Sequence, residues 1–123
     1  MNQRLLVSVV DDDESVRESL PDLLREFGFA VKAFPSAETF LASGDAEVTR
    51  CLILDIAMPG MCGPELQQEL ARRGYAIPII FITAHGDAAE RPRLIRQGAV
   101  DCLMKPFSEA ALLKALSAAL PVG

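Results

Sequence analysis

Short apolar runs alternate along the chain with stretches of helical period. Four runs, Leu5-Leu6-Val7-Ser8-Val9-Val10, Cys51-Leu52-Ile53-Leu54, Ile77-Pro78-Ile79-Ile80-Phe81-Ile82 and Val100-Asp101-Cys102-Leu103-Met104, are mostly β-branched and nearly continuous in apolar character. That pattern suits strands covered on both faces. A fifth, Ala30-Val31-Lys32-Ala33-Phe34, ends in Pro35 with no acid and is placed at a sheet edge. Helical stretches between the runs make the connections crossovers, and the sheet therefore parallel.

The helices are punctuated. From Glu14 to Phe27 the residues Val16, Leu20, Leu23, Leu24 and Phe27 share one face, and Gly28 can supply the left-handed stop. Pro21 removes the bond to the Arg17 carbonyl, so a kink is expected there. Ser36 can cap a short helix carrying Ala37, Phe40 and Leu41; Pro64 suits the first turn of one carrying Leu66 and Leu70 and stopping at Gly74. A fourth helix, starting near Arg91, puts Pro92 in a tolerated first turn and leaves Gly86 to Glu90 as a loop. Ser108 caps the last, with Leu112, Leu113, Leu116 and Leu120 inward and Pro121 ending it. The longest irregular excursion is expected around Ser43 to Thr49.

In an open parallel sheet all carboxyl ends of the strands face one crevice. Asp11, Asp12, Asp55, Thr83 and Lys105 each stand at or just beyond the end of a run, so they should meet. Three carboxylates in one crevice repel and raise at least one pKa unless a cation is present. All-oxygen ligation with few protein groups suits Mg²⁺. Asp55, ending a central strand, is then best placed as a nucleophile toward phosphorus. Lys105 and the metal would neutralise the equatorial oxygens of a transferring phosphoryl group, and the Thr83 hydroxyl would bond to one. Asp13 reads as a helix-capping acid.

Composition narrows the picture further. A chain of 123 residues that is half apolar is one domain, spanning 1–123. A formal charge of −5 argues against a nucleic-acid-binding surface, and the absence of a long apolar stretch or basic leader points to the cytoplasm, not a membrane. Three cysteines without paired spacing read as reduced thiols: Cys51 as a small hydrophobe, and Cys62 and Cys102 as the two with room for redox chemistry. Met58 and Met61 read as loop packing, and His85, the single histidine, as a solvated loop residue.

Four fragments, in order, carry a resemblance: Val9-Val10-Asp11-Asp12-Asp13, Leu54-Asp55-Ile56-Ala57-Met58-Pro59-Gly60-Met61-Cys62-Gly63, Ile82-Thr83-Ala84 and Lys105-Pro106-Phe107. Together they resemble the response-regulator receiver domains of two-component signalling, a CheY-like superfamily. Ala84-His85-Gly86-Asp87 and Gly98-Ala99-Val100-Asp101 look most like the FixJ-type branch. The resemblance implies a flavodoxin-like (βα)5 three-layer sandwich, with a parallel five-stranded sheet of order 2-1-3-4-5. It implies that Asp55 accepts a phosphoryl group from a sensor histidine kinase or phosphotransfer protein, with Asp12, Asp55 and the Ala57 carbonyl holding Mg²⁺ and Asp11 assisting through water.

It also implies a cis peptide before Pro106 that aims Lys105 into the site, and a Thr83 that moves toward the phosphate as an interaction surface is reshaped. Cys102 stands where the family's switch residue is usually aromatic. Pro92 sits in the helix through which FixJ-type receivers usually dimerise, so dimerisation is left open. The module is a phosphoacceptor rather than a turnover enzyme, followed by an output domain or acting on a downstream protein. Two other readings compete. A haloacid-dehalogenase-like phosphatase wants an acid two residues past the nucleophile, where Ala57 stands. A pseudo-receiver working only through protein contacts would not need the full set of acids, hydroxyl and lysine.

Overall fold

The computed structural model describes residues 4–84 and 90–120. Five parallel strands, β1 (Leu6–Val10), β2 (Ala30–Phe34), β3 (Cys51–Asp55), β4 (Ile79–Thr83) and β5 (Asp101–Met104), form one sheet in the order β2-β1-β3-β4-β5. Between them lie α1 (Glu14–Glu26), α2 (Ala37–Ser43), α3 (Gly63–Arg72) and α4 (Glu90–Arg96), with α5 (Glu109–Ala119) closing the chain. This is the expected flavodoxin-like order, with β2 at an edge as its proline ending suggested.

The central strand explains the layering. Every residue of β3 is buried, and its side chains alternate between two cores. Leu52 and Leu54 join Phe40, Leu66, Phe81 and Leu94 beneath α2, α3 and α4. Cys51 and Ile53 join Leu20, Leu24, Leu112 and Leu116 beneath α1 and α5. A strand so enclosed has no wet face, which is why the sequence shows no alternation there.

Helix ends follow the expected chemistry. Asp13 caps α1 by accepting from the Ser15 amide at 2.9 Å, and Ser36 caps α2 by accepting from the Thr39 amide at 3.0 Å. Ser108 caps α5, accepting from the Ala111 amide at 3.0 Å. Exchanging Ser108 for alanine should destabilise the protein by about 1 kcal/mol, read as a lower urea midpoint with an unchanged slope; an unaltered midpoint would mean that water replaces the hydroxyl at no cost.

Pro21 lies inside α1, which runs to Glu26 as one helix. Some expectations need correction. On α5, Leu113 is 42 % exposed, and Ala115 takes the inward place beside Leu112 and Leu116. Residues 111, 112, 115, 116, 119 and 120 form the buried stripe, and 113 falls on its flank. Glu90 is already helical, so α4 includes one residue assigned to the loop, with Pro92 in its first turn. The Ser43 to Thr49 excursion contains a 3₁₀ turn at Asp45–Glu47. The expectations for His85, for Gly86 to Ala89 and for Pro121 lie outside the described residues. Among the described residues no helix is long and apolar enough to cross a membrane.

Candidate functional site

Register brings the site together. Val10 pairs with Leu54, Leu54 with Phe81, Asp55 with Ile82, and Thr83 with Met104, so the carboxyl ends of β1, β3, β4 and β5 are level. Asp11 and Asp12 follow β1, Asp55 and Thr83 end β3 and β4, and Lys105 follows β5. Backbone bonds extend the rim past the ladder: the Ile56 amide donates to the Ile82 carbonyl at 3.0 Å, and the Lys105 amide to the Thr83 carbonyl at 2.7 Å.

Asp11, Asp12 and Asp55 each offer a carboxylate oxygen within 4.8 Å of the others. Asp11 is fully buried and Asp55 is 6 % exposed, whereas Asp12 is open to solvent. Lys105 Nζ lies 2.8 Å from Asp11 Oδ2 across 94 positions of sequence. The other oxygen of Asp11 accepts from the Asp13 amide at 2.9 Å, and its carbonyl accepts from Arg17 Nη1 at 3.0 Å. A buried acid so bonded is fixed in place.

The charges are unbalanced. Burial, and then the neighbouring Asp11 charge, push the Asp55 carboxyl up to about 7, although Lys105 opposes the rise. For Lys105, burial disfavours the ammonium, but the hydrogen bond and charge of Asp11 outweigh it and the pKa is raised. A trio with one lysine still holds excess negative charge, and an oxygen-ligated dication fits that deficit.

The segment after Asp55 is held at several points. The Gly63 amide donates to the Ile56 carbonyl at 2.9 Å, closing the loop at its base. Met58 is buried and Met61 packs against the same core, as expected of loop packing. Ala57 is exposed two positions past Asp55. The Met61 amide donates to Glu38 Oε2 at 2.9 Å, and the Cys62 amide to Glu65 Oε1 at 2.9 Å. Sequence reading missed Glu38, because an acid in a helix's first turn reads as a partner of the helix dipole. It also missed Arg17, an ordinary polar position on an amphipathic helix.

The peptide between Lys105 and Pro106 is cis, as expected. Cys102 is partly buried in β5 and packs against the core under α2, α3 and α4. Burial raises all three thiols, Cys51 to about 12, which leaves little thiolate for redox chemistry at Cys62 or Cys102. Beside Lys105 a groove of about 550 Å³ is lined by Val16, Leu20, Leu23, Pro106 and Phe107 among others.

A parallel sheet of this order, with an acidic trio and a lysine at its carboxyl edge, defines the receiver class of signalling domain. The family model described as response regulator receiver domain matches residues 7–117, and the chain belongs to that family, part of two-component signalling. It is 49 % identical over 116 residues to Nodulation protein W of Bradyrhizobium diazoefficiens, covering 94 % of this chain and 51 % of that protein. It is 42 % identical over 120 residues to the transcriptional regulatory protein FixJ of Azorhizobium caulinodans, covering 98 % and 57 %. Among solved structures, FixJ-N superposes with a TM-score of 0.83 at 41 % identity, covering 97 % of this chain and 94 % of that one. The response regulator StyR superposes at 0.87 and 50 % identity, covering 96 % and 60 %. The chain thus spans about half the length of the curated relatives it matches.

Proposed function

We propose that this chain is a phosphoacceptor, in which Asp55 takes a phosphoryl group from the phosphohistidine of a sensor kinase or phosphotransfer protein with the help of Mg²⁺. The observation that carries this reading is the meeting of three carboxylate oxygens within 4.8 Å, beside a lysine bonded to one of them. An Asp55 carboxylate oxygen forms the new bond to phosphorus, the phosphorus–nitrogen bond of the donor breaks, and its electron pair returns to the imidazole. Asp12, Asp55 and the Ala57 carbonyl would hold Mg²⁺, with Asp11 assisting through water, and the ion would supply charge neutralisation at the phosphoryl oxygens. Lys105 neutralises the same oxygens from a buried position, and the Thr83 hydroxyl donates to one of them. Once Thr83 has moved toward the phosphate, the surface around α4, β5 and α5 changes population.

Cys102 replaces the aromatic partner of that movement with a small, partly buried side chain, so less rearrangement accompanies it. The groove beside Lys105 gives a donor protein apolar footing next to the acceptor. The whole module would be cytoplasmic and act through an output domain or a downstream protein. Phosphoryl transfer without repeated turnover fits Ala57, which offers no acid to protonate a leaving group.

Incubation with a small phosphodonor and Mg²⁺, followed by intact mass, should show one added phosphoryl group that is removed by hydroxylamine and fails to form when a chelator is present. No adduct, or one formed equally under chelation, would overturn the proposal.

A further inference from the structure

Glu38 is a surface residue of α2, yet its carboxylate reaches across to the loop that follows Asp55. Its Oε2 accepts the Met61 amide at 2.9 Å. The neighbouring Gly60 adopts φ 75°, and a Cβ there would lie 2.7 Å from the same oxygen. The chain therefore has glycine where the left-handed turn calls for it, and the exposed carboxylate rests close against that turn. The Gly63 amide is bonded to the Ile56 carbonyl at the base and the Cys62 amide to Glu65 of α3, so the Glu38 bond is the tie that reaches the loop from α2. Ala57 lies between the base and that outer tie.

We infer that Glu38 is a positioning residue for the metal site, whose hydrogen bond to Met61 holds the loop so that the Ala57 carbonyl faces the Asp12–Asp55 carboxylates. This rests on the phosphoacceptor reading above. Acceptance of the amide, not negative charge, is what the role requires, so glutamine at 38 keeps it and alanine loses it. Losing one charge-assisted bond at an exposed position weakens the ordered loop by a small factor. Electrostatic attraction of a cation by Glu38 would behave differently, because glutamine would then be as defective as alanine.

The test titrates Mg²⁺ calorimetrically into the unphosphorylated wild type, Glu38→Ala and Glu38→Gln, and follows hydrogen exchange at the Met61 amide. In Glu38→Ala the Mg²⁺ dissociation constant should rise roughly five-fold and the Met61 amide should exchange faster. Small-donor phosphorylation of this variant should approach the wild-type rate once Mg²⁺ is saturating. Glu38→Gln should resemble wild type in all three readouts. Unchanged Mg²⁺ affinity in Glu38→Ala, or equal loss in both variants, would overturn the inference. A wild type that forms no adduct would instead remove the phosphoacceptor reading, so the two failures are separable.

Discussion

Replacing Asp55 with asparagine should abolish the phosphoryl adduct while making the metal-free protein more stable. The first effect follows from chemistry, since an amide has no anionic oxygen to offer phosphorus; the yield should fall by at least roughly a hundred-fold. The second follows from the site's charge. Burial and Asp11 raise Asp55 from an ordinary 3.8 to about 7 in the folded chain. Between those values the native state binds more protons than the unfolded state, so stability falls as pH rises across that window. Above about 7 the carboxylate is ionised in both states and the full penalty applies.

Asparagine removes this titration, at about 1.4 kcal/mol for each pKa unit of differential interaction. A gain of about 2 kcal/mol at pH 8 and a flatter stability profile from pH 4 to 7 are expected. Urea unfolding at pH 5 and pH 8 measures both, and added Mg²⁺ should raise the wild-type midpoint more than that of the variant. Equal midpoints and equal pH slopes would contradict the charge argument. A full adduct yield in Asp55→Asn would remove the nucleophile assignment.

Gly63→Ala should unfold or distort the site from behind. Gly63 is buried at the start of α3, and a Cβ there would run into the Asp55 carbonyl oxygen and meet the Ile56 Cα at 3.1 Å and the Phe81 ring at 3.0 Å. Two of those neighbours are backbone, and Phe81 is wholly buried, so none can turn aside. The strand end that presents Asp55 must shift instead. A loss of about 3 kcal/mol is expected, together with reduced adduct yield in whatever folds. Gly28→Ala is the contrast, because nothing lies within 4 Å of its Cβ and only the positive φ of 99° opposes it. It should lose about 1 kcal/mol and phosphorylate normally. If Gly63→Ala matched it in both respects, close approach would not be what Gly63 provides.

Much of this was legible before any coordinates. Buried strands show as unbroken apolar runs because both faces are covered, and Ser36, Ser108 and Asp13 mark helix starts because a cap is satisfied within three residues. Asp55 and Thr83 could be assigned to one rim because parallel strands share a polarity. Leu113 was misjudged because leucine fits either the stripe or its flank, and only the fit against β4 and β5 distinguishes them.

The sequence alone thus determined a parallel sheet of buried strands alternating with helices, helix boundaries to within a residue or so, and the set of side chains gathered at the carboxyl edge, since periodicity, capping and chain polarity are local properties; the strand order came only with the resemblance to receivers. Tertiary structure alone decided that Lys105 pairs with Asp11, that Glu38 ties the loop at Met61, and that Gly63 has no room for a methyl group. Each of those depends on distances between segments far apart in the chain, which register and packing set and no local pattern encodes.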